Sequence, residues 1–219
     1  VSNDGTNIED VFVRDLQTGV TELISIDSAG INQSNAHNSL SRGRAVSSDG
    51  RYVIFETQAS NLVPQITASQ GNNVYLRDRQ LGTTSVVSLS ADGLRGAGGG
   101  AGSMTPDGRY VAFVSGETDL VTGVSDANAG WDVFLRDLQT GTTRLVSWNA
   151  AGTGTGNRAS GTGQYDFDFV QGPPVLSDDG RFVAFAAEAS DLVAGMTDAN
   201  DGLSGSFGTR RRDVFVRDL

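Results

Sequence analysis

The chain contains no cysteine, no lysine, a single histidine and no long run of apolar residues. Each absence closes a route. Without cysteine there is no disulfide, no thiolate nucleophile and no Cys-ligated metal. Without about 18–20 consecutive apolar residues, no helix spans a bilayer. All 16 basic residues are arginine, and with 26 acidic residues the net charge is −10. That sign argues against a nucleic-acid backbone as partner. The lone His37 cannot build a His-rich metal site, and no G-x-S-x-G elbow is present to support Ser-His-Asp chemistry. The glycine-rich run 96–102 lacks the Lys and Ser/Thr of a phosphate loop and reads as a flexible connection. The first residue is Val, with no basic-then-apolar leader after it, which reads as a processed product or an excised piece.

What the chain does have is repetition. The heptapeptide DVFVRDL stands at 10–16 and returns as NVYLRDR at 73–79, DVFLRDL at 132–138 and DVFVRDL at 213–219. A β-branched and aromatic run of this length predicts a strand buried on both faces. Its Arg-Asp step recurs at intervals of 63, 59 and 81 residues, a period near 60 lengthened by insertions. An Asp-Gly-Arg turn recurs ahead of it at 49–51, 107–109 and 179–181. Asp-Gly between two extended runs is a strong hairpin signal. The 29 glycines and abundant Asp, Asn and Ser suit many short strands joined by tight turns.

Each period holds four short strands: one before Asp-Gly, then RYVAF, then DVFVRDL, then TTxLVS. Four antiparallel strands per repeat with no helical periodicity predict an all-β fold, a β-propeller of four-stranded blades. The combined pattern S-x-DG-R-[YF]-V-A-F, S-x-L-V, D-x-N and DVFVRDL-x-TG-TT-x-LVS resembles the TolB-like (PD40, WD40-like) propeller repeats of bacterial envelope and secreted proteins. The resemblance covers nearly the whole chain apart from insertions at 153–172 and 203–212. It implies a non-catalytic scaffold for protein binding or assembly, placed extracellularly or in the periplasm. It also admits an accessory propeller of a larger serine peptidase, or a carbohydrate-binding lectin.

The pattern divides into a partial blade at 1–26, blades at 43–88 and 101–148, and a partial blade at 173–219. That is about three blades' worth of strands, starting and ending inside a blade, whereas closed propellers need roughly four to eight blades. A protein partner, or a second copy, is therefore expected to complete the ring.

The loop before the third strand of a blade offers candidate oxygen ligands. It reads Asp126-Ala127-Asn128-Ala129-Gly130-Trp131-Asp132 in one blade and holds Asp198 and Asn200 in the last, while Asp4 and Asp10 keep the same six-residue spacing near the start. Ca²⁺ takes several oxygens at about 2.3–2.6 Å, and such a turn supplies two side chains and a carbonyl. The same residues read equally as Asx-turns at a strand entry, with no metal. The repeated Asp-Gly-Arg and Arg-Asp pairs read as architecture, each bonding to a neighbouring strand or blade. On the insertions, Tyr165, Phe167, Phe169, Phe207, Arg210, Arg211 and Arg212 supply the residue types enriched at binding hot spots. Nothing in the sequence assembles a catalytic set.

Overall fold

The computed structural model describes residues 8–40, 43–67, 71–161, 173–197 and 212–219. Among them there is no helix, and thirteen strands form four antiparallel sheets. The first sheet pairs β1 (Phe12–Arg14) with β2 (Thr21–Leu23). The second contains β3 (Asn38–Leu40), β4 (Tyr52–Thr57), β5 (Asn73–Asp78) and β6 (Thr83–Val86) in chain order. The third contains β7 (Gly100–Met104), β8 (Tyr110–Ser115), β9 (Asp132–Asp137) and β10 (Thr142–Leu145). The last contains β11 (Val175–Leu176), β12 (Phe182–Ala187) and β13 (Asp213–Asp218).

The pleat sorts side chains onto the two faces of each sheet, and both faces are buried because sheets stack. In β4, Val53 and Phe55 pack with Val11 and Ile24 of the first sheet, whereas Ile54 points the other way, into a cluster with Val111, Phe113 and Phe134. In β8, Ala112 and Val114 in turn meet Val183, Phe185 and Phe215 of the last sheet. Each sheet presents an aromatic pair to the one before it: Phe55–Tyr75, Phe113–Phe134 and Phe185–Phe215, with ring centroids 5.8, 5.8 and 6.0 Å apart. These are stacked blades sharing cores at their interfaces.

The Asp-Gly-Arg turns close each hairpin in the same way. Asp49 Oδ1 accepts from the Ser47 hydroxyl at 2.6 Å and from the Arg51 amide at 3.0 Å, and Gly50 takes φ 71°. Asp107 and Asp179 repeat this with Thr105 and Ser177. The next glycine in the series is needed twice over: Gly108 also has φ 78°, and a Cβ there would strike the Tyr52 ring of the preceding blade. The turn thereby keys one blade against another.

The arginine of each turn pairs with the aspartate of the following RD step. Arg51 holds Asp78, Arg109 holds Asp137 and Arg181 holds Asp218, at 2.6, 2.9 and 2.6 Å. The arginine beside each aspartate points to the opposite face and donates to a fourth-strand threonine: Arg77 to Thr84, Arg136 to Thr143. Arg217, in the three-stranded last sheet, donates instead to the Trp148 carbonyl. Asp78 also accepts from the amides of Gln80 and Leu81, and its carboxylate is the most enclosed of the three. We therefore expect Asp78→Ala to cost about 2–3 kcal/mol, because it orphans two amides and a guanidinium. Asp218→Ala, with an exposed carboxylate, should cost under about 1 kcal/mol. Urea denaturation of the two variants, compared side by side, checks the ranking.

Two strand placements differ from expectation. The short strand opening the second sheet lies at Asn38–Leu40, ahead of residue 43, whereas directly before Asp-Gly Val46 makes only an isolated bridge to Val53. The glycine-rich run at 96–102 is no flexible connection, since its second half enters β7. Its glycines answer close approach: a Cβ on Gly99 would come within 2.9 Å of the Val114 carbonyl oxygen, and one on Gly100 within 3.0 Å of the Glu56 carboxylate.

Candidate functional site

In each blade the first and third strands start, and the second strand ends, at one common end of the stack. The loops there carry the Asp/Asn motif, and three of its residues come together. Asp126 Oδ1 accepts from the amides of Asn128 and Ala129 at 3.0 and 2.9 Å and from the Thr155 hydroxyl at 3.2 Å. This is an Asx-turn, and it holds Ala129 at φ 48°, a left-handed conformation that alanine rarely adopts. The Asn128 side-chain oxygen accepts from the Gly130 amide, and its nitrogen donates to the Gly156 carbonyl at 2.7 Å and faces Asp132 at 3.5 Å.

Asp132 lies buried at the start of β9. Its Oδ1 accepts from the Ser147 hydroxyl at 2.8 Å, and the same hydroxyl accepts from the Val133 amide at 3.1 Å. Asp10 repeats the bracket with Ser25, at 2.7 Å. Burial, with some repulsion from Asp126, pushes the Asp132 carboxyl up to about 7, although Ser147 and Asn128 pull the other way. The second oxygen of Asp10 and the side-chain oxygen of Asn38, both buried, have no hydrogen-bond partner among the described residues. Among those residues no three His, Cys, Asp or Glu side chains gather as a metal cage would need. Asp126, Asn128 and Asp132 thus converge, with most of their polar atoms engaged by N–H and O–H groups. Asp4, Asp198 and Asn200 lie outside the described residues.

The same holds for Tyr165, Phe167, Phe169, Phe207, Arg210 and Arg211. Arg212 is placed, and it is turned inward: its guanidinium meets Glu188 at 3.2 Å with both side chains nearly covered. Among the described residues Arg212 is thus engaged with the last sheet through Glu188. His37 accepts from the Glu9 amide at 3.3 Å, an ordinary loop contact.

Sequence reading passed over two features. One is Trp131, which lines a cavity of about 310 Å³ between the second and third sheets, together with Asn72, Gly99, Gly116, Glu117 and Gly130. The signal was available, because the residue just before the DVFVRD strand is Asn72, Trp131 or Arg212 in successive repeats. The other is the outer face of the last sheet. Val214 and Val216 are 77% and 66% exposed there, whereas their counterparts Val133 and Leu135 are 0% and 1% exposed under the sheet that follows them.

No family model and no curated protein matches the chain. Solved structures do. A structure of two prolyl endopeptidases matches with TM-score 0.52 and 16% identity, over 97% of this chain and 25% of that one. The tricorn protease matches with TM-score 0.47 and 13% identity, over 96% of this chain and 16% of that one. A putative TolB from Agrobacterium tumefaciens matches with TM-score 0.47 and 12% identity, over 99% of this chain and 68% of that one. The chain thus spans a small part of each of these two peptidases. At these identities the likeness shows the fold and nothing finer: the chain is an all-β protein of stacked four-stranded antiparallel blades, a β-propeller fold.

Proposed function

We propose that the chain is a non-catalytic scaffold whose open last blade accepts a second copy of itself, completing the propeller by head-to-tail stacking. The observation that carries this is the exposure of Val214 and Val216, at positions that the next blade covers in both earlier repeats. Their burial is worth about 1.5–3 kcal/mol per side chain. The complementary surface is the first sheet, where Phe12 stands at the position from which Tyr75, Phe134 and Phe215 pack onto the preceding blade. A head-to-tail contact of this kind closes a ring when its rotation permits. Ca²⁺ is proposed as a brace at Asp126, Asn128 and Asp132, since two carboxylates that repel each other are what a divalent cation relieves. The insertions, with Tyr165, Phe167, Phe169, Phe207, Arg210 and Arg211, supply further contact surface. The TolB-like resemblance supports an extracellular or periplasmic location.

Light scattering tests the assembly. The expected mass is that of two chains, falling to one in Val214→Asp/Val216→Asp, which leaves the fold intact because both side chains already face water. Chelation with EDTA should loosen the wild-type assembly if Ca²⁺ braces it. A mass of one chain for the wild type at micromolar concentration overturns the assembly. The second reading is an accessory propeller of a serine peptidase, favoured by the likeness to the prolyl endopeptidases. On that reading the open face docks against another polypeptide, and the isolated chain stays monomeric.

A further inference from the structure

We infer that the cavity beside Trp131 is a binding site for an arginine side chain of a protein partner. The site goes beyond ring completion and stands whether or not a second copy docks.

The geometry begins with Gly116. A Cβ there would sit 3.9 and 4.0 Å from Cε2 and Cδ2 of Trp131, the two atoms shared by the indole rings, which can be reached together only from the ring face. Any side chain at 116 would therefore lie on the indole. Glycine leaves that face open, and it does so in this blade alone: the equivalent residues are Gln58 in the blade before and Glu188 in the blade after. Trp131 also packs against the core between the third and last sheets while lining the cavity, so its ring has support from the core.

The chemistry around that face suits a cation. Glu117 lines the cavity with a half-exposed carboxylate. Its ion pair with Arg95 is long, at 3.4 Å, because Arg95 sits against Asp119 at 2.6 Å. The Gly130 carbonyl oxygen borders the same space, 3.8 Å from the Gly116 Cβ position. A tryptophan face, a carboxylate and a carbonyl bring three acceptors to one side of the cavity, and a guanidinium stacks on indole while donating to carboxylate. The net charge of −10 draws cationic partners toward it.

The last blade shows what these two positions hold when they are filled. Glu188 replaces Gly116, Arg212 replaces Trp131, and the two form an enclosed guanidinium–carboxylate pair. In the middle blade the protein's own arginine is gone, an aromatic wall stands in its place, and the carboxylate has moved one residue on to Glu117. The fold also stacks guanidinium on aromatic rings elsewhere, Arg51 over Tyr52 and Arg109 over Tyr110 at 4.7 and 4.6 Å. A cavity of about 310 Å³ is at the small end of ligand sites and matches one extended side chain rather than a folded segment.

The test titrates the full chain with N-acetyl-arginine amide while following indole fluorescence, with Trp148→Phe used to remove the second fluorophore. A saturable change is expected, weakened about tenfold in Glu117→Gln and by raised salt. It should vanish in Gly116→Leu, which fills the cavity and whose Cβ meets only ordinary contacts; circular dichroism confirms its fold. The wild-type titration is repeated by calorimetry, so the result does not rest on the fluorescence variant. No saturable binding, or binding that survives in Gly116→Leu, overturns the proposal. So does a response to glucose or galactose in place of arginine, which would mark a sugar platform. Ring completion is read separately, as mass, so either idea can fail alone.

Discussion

Phe113→Ala is expected to lower stability by about 3–5 kcal/mol, the range for emptying a fully buried phenylalanine site. Phe113 has no exposed surface, stacks on Phe134 and stands in the cluster that joins the second and third sheets. Its neighbours there, Ile54, Val74 and Val111, are held by strand pairing on both sides and cannot collapse into the void. The repeat supplies an internal control. Phe185 holds the same place in the last sheet, which has three strands and an open outer face, so its surroundings can relax. Phe185→Ala should cost about 1–2 kcal/mol less than Phe113→Ala. Urea denaturation followed by circular dichroism gives both numbers. Equal costs would mean that the open face does not soften the last blade.

The second large effect is a pH dependence carried by one carboxyl. The folded chain holds a proton on Asp132 up to about 7, because burial disfavours the anion, whereas in the unfolded chain the ordinary value of 3.8 applies. Between those values the native state binds more protons than the unfolded state, so stability falls as the pH rises through the window. The loss between pH 4 and pH 8 should be about 2–4 kcal/mol. Asp132→Asn removes the titration, and the repeat already tolerates the change: Asn73 occupies the equivalent place in the second sheet and is fully buried. The variant should match the wild type near pH 4–5 and exceed it by about 2 kcal/mol or more near pH 8. Urea midpoints at half-unit pH steps would show it, and parallel curves for the two proteins would sink the assignment. At the acid end the opposite sign applies. Arg109 holds the Asp137 carboxyl down to about 2, so that pair's contribution is present above pH 4 and fades as the pH falls toward 2.

How much of this was legible in the chain depends on the range of the interaction. The DVFVRD strands, the Asp-Gly turns and the role of the Arg-Asp step could all be read, because each rests on local rules of pleat, φ and turn hydrogen bonding. The grouping of strands into two, four, four and three came out as expected, since it follows from where the repeats fall in sequence. Asp132 and Asp137 stand five residues apart on one strand, and nothing local marks the first as a buried acid and the second as a paired one. That difference arises at opposite ends of β9, where Ser147 and Asn128 roof the one and Arg109 and solvent meet the other.

The sequence by itself therefore determined the blade, its strand order, its turn chemistry and the presence of several copies. Only the tertiary structure decided which apolar face is left uncovered, that the glycine run supports close packing rather than flexibility, and that Gly116 bares the face of Trp131. The physical reason is distance along the chain. A strand alternates whatever lies opposite it, but burial, a clash with a Cβ and the space above an indole are set by residues from other blades, tens of positions away, and no local pattern carries them.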